Sequence, residues 1–106
     1  MTYICSPYSH PSPAIRQASY EAACQATANL LRQGRAAVSP IVHSYFLVQY
    51  GLPTDFDFWS GVDLELLRRC DDVLVLMLDG WKKSRGVKAE VAEAVRTGKE
   101  VRYVKP

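Results

Sequence analysis

The chain has 106 residues, of which 48% are hydrophobic and 23% charged, and 13 Lys and Arg against 11 Asp and Glu leave a net charge of +2. This composition is typical of a single domain spanning residues 1–106, since so short a chain buries one hydrophobic core and not two. The small net charge, with no basic stripe interleaved with aromatic residues, argues against a nucleic acid polymer as partner. The longest apolar run, Val73 to Leu78, is far shorter than the roughly 20 residues that span a bilayer, so no membrane partner is expected.

The first residues of the chain and its cysteines predict a cytoplasmic protein, and the absence of known binding motifs predicts that it uses no cofactor. The first residues carry neither the basic nor the apolar segment of a secretory signal. Cys5, Cys24 and Cys70 are far apart and surrounded by apolar residues, which is typical of reduced thiols in a core. No glycine-rich dinucleotide motif or P-loop occurs, and neither histidine has Cys, Asp or Glu at metal-ligand spacing.

Short periodic segments separated by Gly and Pro predict strands that alternate with helices. Residues 2–5 are predicted to form a buried strand. Ser12 is predicted to cap a helix that Gly34 ends, and a second short strand follows at 36–38. The segment 41–51 is rich in aromatic residues, and its pattern does not decide between helix, strand and loop.

The second half of the chain has a sharper pattern. An amphipathic helix is predicted from Phe58 onward. Its apolar face is predicted to consist of Trp59, Val62, Leu66 and Cys70. The unbroken apolar run 73–78 predicts a central parallel strand, and Ser84 is predicted to cap a third helix that ends at Gly98 before a last strand at 100–104. The inward residues of this third helix are predicted to be Val87, Val91, Ala94 and Val95.

Alternating strands and helices predict an α/β fold, a small doubly wound parallel sheet of the flavodoxin-like or Rossmann-like class with helices on both faces. Ligands of such sheets bind at the carboxyl ends of the strands, so the loops 5–13, 39–44 and 79–85 are predicted to surround a binding site. The predicted substrate-binding residues are Ser6, Tyr8, Ser9, His10, His43, Ser84, Arg85 and Gly86. Because loops are polar in any protein, purely structural hydrogen bonds remain the alternative, above all for the two histidines.

Two carboxylates lie beside apolar helix faces. At about 100° per residue, Asp63 lies about 20° beyond the predicted apolar face of its helix, and Glu90 lies about 40° from Ala94. A half-buried carboxylate requires a partner or indicates a function. The alternative to a function is a salt bridge, in which Arg85 or Lys82 pairs with Glu90.

Four short motifs follow one another along almost the whole chain. They are Tyr3-Ile4-Cys5-Ser6-Pro7-Tyr8, Asp63-Leu64, Leu78-Asp79-Gly80 and Gly86-x-x-x-Glu90-x-x-x-Ala94. In this order and spacing the chain resembles the nucleoside 2-deoxyribosyltransferase-like superfamily, and it looks closest to the small DUF1937 branch. The resemblance implies a homodimer or a larger homo-oligomer, in which neighbouring subunits help to complete the pocket.

Members of that superfamily break or exchange the N-glycosidic bond of nucleosides or nucleoside 5′-monophosphates through a covalent sugar intermediate on a glutamate. The resemblance implies that Glu90 is the nucleophile, that Asp63 is its helper acid, and that Tyr3 orients the nucleophile. Where the transferases carry Asp-x-Gly-Thr, this chain has Ser84-Arg85-Gly86-Val87, which favours hydrolysis of a 5′-monophosphate over base exchange. A hydroxyl, a guanidinium and helix N–H groups in this segment suit a phosphate.

The predicted function is therefore an N-glycosidase that cleaves the base–sugar bond of a nucleoside 5′-monophosphate or a nucleoside. Two carboxylates are sufficient for this chemistry, because one attacks the anomeric carbon while the other protonates the departing base. One alternative is a non-catalytic module that binds a nucleotide or nucleotide-sugar in the same cleft. Another is an interaction protein that keeps only the fold, suggested by aromatic residues expected to be exposed at a subunit interface. These are Tyr45, Phe46, Tyr50, Phe56, Phe58 and Trp59.

Overall fold

The computed structural model describes residues 1–106, in which strands and helices alternate along the chain. The elements are β1 (Thr2–Cys5), α1 (Pro13–Arg32), β2 (Ala37–Val38), α2 (Pro40–Ser44), a 3-10 helix (Leu47–Tyr50), α3 (Phe56–Arg68), β3 (Asp72–Leu76), α4 (Arg85–Arg96) and β4 (Glu100–Val104). The four predicted strands and the three long predicted helices are confirmed. The aromatic-rich segment that the pattern left undecided contains α2 and the 3-10 helix. None of the helices is long and apolar enough to cross a membrane.

The four strands form one parallel sheet in the order β2-β1-β3-β4. On β1, Tyr3 lies opposite Val38 of β2 on one side and opposite Val73 of β3 on the other. The chain therefore winds outward in both directions from the central pair β1 and β3. This confirms the predicted doubly wound parallel sheet, and it places the switch point, where ligands bind in such folds, between the carboxyl ends of these two strands.

The sheet has a hydrophobic cluster on each face because successive side chains of a strand point to opposite sides. The cluster under α3 and α4 consists of Tyr3, Cys5, Leu67, Cys70, Val73, Val75, Val87 and Ala94. On the opposite face, Ile4 and Leu74 pack against Leu30 of α1. All three cysteines are free thiols, of which Cys5 and Cys70 are buried and Cys24 is half-buried.

Each long helix begins at a polar residue that caps it. The Ser12 hydroxyl accepts from the Ile15 N–H at 3.4 Å, and the Ser84 hydroxyl accepts from the Val87 N–H at 3.2 Å. The Asp55 carboxylate accepts from the Phe58 N–H at 3.1 Å, so α3 begins at Phe56 and not at the predicted Phe58. A cap residue, and not the first apolar residue, therefore decides where α3 starts.

The predicted inward faces of α3 and α4 are wrong at two valines. Val62 is 42% exposed and Val95 is 67% exposed. On α3 the residue that packs into the core is Leu67, which is fully buried and lies about 140° around the helix axis from Val62. On α4 the buried face contains two carboxylates, Glu90 and Glu93, together with Val87 and Ala94. The rotation of each helix about its axis therefore follows from all its contacts with the sheet, and not from its apolar face alone.

Candidate active site

A cleft of about 860 Å³ opens where β1, β2 and β3 end. Of the predicted site residues, those that line it are Ser6, Tyr8, Ser9, His10, Asp63, Ser84, Arg85, Gly86 and Glu90. Tyr3 does not line the cleft but lies fully buried, in hydrogen-bond contact with Glu90. His43 is exposed on α2 and is not among the lining residues. The topology therefore brings together residues that are as much as 84 positions apart in the chain, from Ser6 to Glu90.

The first half of α3 also lines the cleft, of which the sequence analysis predicted only Asp63. Phe56, Trp59, Ser60 and Asp63 all face it. Their spacing of i, i+3, i+4 and i+7 is that of one helix face, so a signal was present in the sequence. It was missed because the rule for parallel sheets points only to loops that follow strands, whereas α3 precedes β3.

The aromatic residues that were expected to be exposed divide into two groups. Tyr45, Phe56 and Trp59 line the cleft, which corrects that expectation. The others are exposed by 56% at Phe46, by 83% at Tyr50 and by 39% at Phe58. Half of the aromatic set is thus part of the site itself.

The aromatic residues that line the cleft are held in place by their neighbours. The Tyr45 ring stacks on Tyr20 of α1, with ring centres 3.8 Å apart and planes 15° apart, and it meets the edge of Tyr8 at 6.2 Å. Trp59 donates its indole N–H to the Pro53 carbonyl at 2.7 Å. Rings fixed in this way offer apolar surfaces that suit a flat ligand ring.

Glu90 carries the only ionisable side chain that is both nine-tenths buried and on the cleft wall. Its carboxyl group accepts a hydrogen bond from the Tyr3 hydroxyl, and the Cys5 thiol lies near enough to lower its pKa. Neither cation of the predicted salt bridge contacts it. Arg85 lies over the Phe56 ring at 4.0 Å and 3.9 Å from Asp57, and Lys82 lies over Trp81. The salt-bridge alternative for Glu90 is therefore wrong.

The environment of Glu90 favours its protonated form. Burial raises the pKa of Glu90 from 4.5 to about 8, although the hydrogen bond from Tyr3 and the nearby Cys5 thiol act in the opposite direction. Burial, and next the Glu90 carboxylate, raise the pKa of Tyr3 far above its usual value, so Tyr3 remains a hydroxyl donor. Glu90 thus gains and loses its proton close to neutral pH.

Asp63 is the second carboxyl group of the cleft. Burial raises its pKa from 3.8 to about 6, and its charge contributes to the raised pKa of Glu90. Two carboxyl groups that influence each other share their protons as a pair. Between about pH 6 and pH 8 the pair holds a single proton, which rests mainly on Glu90, the group with the higher pKa. Passage of this proton to Asp63 leaves Glu90 as a carboxylate and Asp63 as an acid, the state that nucleophilic and acid catalysis require together.

Comparison with known proteins identifies the family of the chain. Residues 1–105 match the family described as Domain of unknown function (DUF1937). The chain belongs to this family. No curated protein matches the chain. Every residue of the cleft lies within the matched part of the DUF1937 domain.

The DUF1937 domain carries cations on the exposed part of the cleft wall. Arg16, Lys83 and Arg85 line it, as do the first residues of α4. Arg16 also donates to the carbonyls of His10 and Pro11, which holds the loop after β1 against α1. The start of α4, flanked by these cations, suits an anion, whereas the carboxyl pair of Asp63 and Glu90 does not. The cleft is thus lined both by a pair of carboxyl groups and by three cations.

Replacing Tyr3 by phenylalanine is expected to lower the free energy of unfolding by about 1–3 kcal/mol, because the buried Glu90 carboxyl loses its hydroxyl donor. The same loss is expected to raise the pKa of Glu90 further, since the Tyr3 hydrogen bond lowers it. Urea unfolding at pH 7 and a carbon-13 NMR titration of the Glu90 carboxyl group measure the two effects. Tyr103→Phe, at an exposed tyrosine of β4, is the matched control. A titration of Glu90 that is the same in Tyr3→Phe and wild type would contradict the assigned contact.

Proposed function

We propose that the protein is an N-glycosidase that hydrolyses the base–sugar bond of a nucleoside 5′-monophosphate or a nucleoside. The observation that carries the proposal is Glu90, a buried carboxyl group on the cleft wall that accepts from the uncharged Tyr3 hydroxyl, pairs with no cation and interacts with a second carboxyl group, Asp63. The resemblance of the ordered motifs to the nucleoside 2-deoxyribosyltransferase-like superfamily supports the same roles for Glu90, Asp63 and Tyr3.

The reaction proceeds in two displacements at the anomeric carbon C1′. In the first, a Glu90 oxygen forms a bond to C1′, the C1′–N bond breaks, its electron pair stays on the base, and Asp63 gives the base a proton. In the second, a water molecule attacks C1′, the ester bond to Glu90 breaks, and the proton of the water passes to Asp63. The products are the free base and a sugar or sugar 5-phosphate, and both carboxyl groups return to their starting states.

The other parts of the cleft supply binding. A 5′-phosphate fits the start of α4, where N–H groups and the Lys83 and Arg85 side chains are available. Arg85 exchanges its weak contact with Asp57, at 3.9 Å, for the phosphate. The base fits against the aromatic surfaces of Tyr45 and Trp59. No cofactor takes part, because the two carboxyl groups supply both the nucleophile and the acid.

The protein is proposed to work in the cytoplasm as a homodimer or larger homo-oligomer. The three thiols are free, which suits a reducing compartment. Outside the cleft, Phe46, Tyr50 and Phe58 expose aromatic surface, and such surface suits a subunit interface.

Detection of free bases tests the activity directly. The wild-type protein is incubated with pooled ribo- and deoxyribonucleosides and their 5′-monophosphates, and the products are separated by chromatography and identified by mass. Release of one base together with its sugar product is the expected result, and the base identifies the substrate. Binding of a nucleotide without release of any base would contradict catalysis and favour the non-catalytic binding module.

The rate of base release is expected to follow a bell-shaped pH profile with a maximum near pH 7. Activity rises through about pH 6 and falls through about pH 8, because only the singly protonated pair of Asp63 and Glu90 is active. Asp63→Asn removes the acid but leaves the nucleophile, so its lower activity is expected to rise with pH to a plateau. Steady-state kcat/KM between pH 5 and pH 9.5 measures both profiles. An alkaline limb that persists in Asp63→Asn would contradict the role of Asp63.

A further inference from the structure

One buried hydroxyl group of the cleft has no partner. Ser6 is 6% exposed and lines the cleft, and its Oγ atom makes no hydrogen bond within the protein. The only other buried side-chain atom without a partner is Nε of Arg102, which lies outside the cleft. An unpaired buried hydroxyl destabilises the fold, so its presence in the cleft indicates that a ligand supplies the partner.

Ser6 lines the same cleft as the carboxyl group proposed to attack the sugar. It follows Cys5 directly, and Cys5 lies near enough to Glu90 for each side chain to shift the pKa of the other. Both residues are at the carboxyl end of β1, one of the two central strands. The cations that suit a phosphate are elsewhere, at Arg16 in α1 and at Lys83 and Arg85 around the start of α4. Ser6 is therefore an uncharged donor and acceptor at the carboxyl end of β1, in the same cleft as Glu90.

The stereochemistry of nucleosides decides which part of the sugar faces Glu90. In a natural nucleoside the base lies on the β face of the sugar, so a nucleophile that displaces it must approach C1′ from the α face. The 2′-hydroxyl of ribose is on this same α face, on the carbon next to C1′. A ribosyl group positioned for attack by Glu90 thus turns its 2′-hydroxyl toward the residues that flank Glu90, whereas a 2-deoxyribosyl group presents only hydrogen there.

We propose that Ser6 recognises the 2′-hydroxyl of the sugar and makes the protein selective for ribonucleotides over 2′-deoxyribonucleotides. This inference rests on the proposed function for the orientation of the sugar. When the ligand lacks the 2′-hydroxyl, the buried Ser6 hydroxyl stays unpaired. Sites built to bind a hydroxyl discriminate strongly against analogues that lack it. Ser6 acts on selectivity and takes no part in bond breaking.

The test compares nucleoside 5′-monophosphates that carry the same base on ribose, 2′-deoxyribose or 3′-deoxyribose. Affinity by calorimetry and kcat/KM for base release are measured for wild type, Ser6→Ala and the control Ser19→Ala, which changes a serine of α1 outside the cleft. For wild type, loss of the 2′-hydroxyl is expected to weaken binding and turnover at least about 10-fold, and loss of the 3′-hydroxyl to have a smaller effect. Ser6→Ala is expected to remove this preference by weakening the ribo ligand alone, while Ser19→Ala retains it.

The affinities measured by calorimetry distinguish a failure of this inference from a failure of the proposed function. Base release with no Ser6-dependent preference between the ribo and 2′-deoxy ligands would overturn the role of Ser6 and leave the glycosidase in place. A Ser6-dependent preference in binding without base release would retain the selectivity and overturn the activity. Equal weakening of all three ligands in Ser6→Ala, or no binding of any of them to the wild type, would overturn the inference.

Discussion

Replacing Glu90 by glutamine is expected to lower the rate of base release by a factor of about 10⁴ or more. Glutamine keeps the size of the side chain and can still accept the hydrogen bond from Tyr3, but it does not form the ester to C1′ that the proposed reaction requires. Nucleotide affinity is expected to change little, since the phosphate and the base bind elsewhere in the cleft. Initial rates and calorimetric affinities for the substrate found in the pooled assay measure both effects.

Glu93 provides a matched control on the same helix. It is one turn beyond Glu90 and equally buried, but its carboxylate pairs with Arg68 and Arg96 and does not line the cleft. Glu93→Gln is expected to retain the rate of base release as long as it is folded. A sugar adduct found by mass in acid-quenched wild type, and missing in Glu90→Gln, would identify the esterified residue. Full activity of Glu90→Gln would remove Glu90 from the mechanism.

The same substitution is expected to stabilise the protein at alkaline pH. The pKa of Glu90 is 4.5 in an ordinary environment and about 8 in the fold, so the folded state binds more protons than the unfolded state between these values. Stability from Glu90 is complete below about pH 4.5 and is lost as the pH rises through about 8. Glu90→Gln cannot ionise, so above pH 8 its free energy of unfolding is expected to exceed that of wild type by several kcal/mol, on the order of 4.

Urea unfolding at pH 5, 7 and 9 measures this difference, which is expected to be small at pH 5 and largest at pH 9. Glu93→Gln is expected to show the opposite sign. The hydrogen bonds from Arg96 and Arg68 lower the pKa of Glu93 to about 2, so its carboxylate stabilises the fold above about pH 4.5 and this stability is lost only as the pH falls through about 2. A stability difference between Glu90→Gln and wild type that did not depend on pH would contradict the buried, protonated state of Glu90.

The expected loss of activity and gain of stability together describe a carboxyl group that destabilises the fold when ionised but is needed for the reaction. A glutamine at position 90 would satisfy Tyr3 without a charge to bury, and a carboxyl group is expected there only if its negative form has a use. That use is consistent with the proposed attack on C1′. The pairing of lost activity with gained stability is therefore a stronger test of function than either measurement alone.

Much of the fold was predictable because its signals are local. Ser12 and Ser84 identify helix starts by capping groups three residues away, and the unbroken apolar run at 73–78 identifies a buried strand, which in the structure ends two residues earlier, at Leu76. The carboxyl groups Asp63 and Glu90 were recognised from helix periodicity together with the ordered motifs. These features depend on neighbours within one or two helical turns, so they can be read along the chain.

The sequence by itself determined which segments become strands and helices, the parallel sheet that they form and the pair of carboxyl groups beside the apolar faces. Only the tertiary structure decided how α3 and α4 are rotated, with Val62 and Val95 outward, and that Tyr3 contacts Glu90, 87 positions away. The rotation of a helix follows from the sum of its contacts with the sheet, and a pKa follows from burial by distant parts of the chain. Both are properties of the packed protein, and no local pattern contains them.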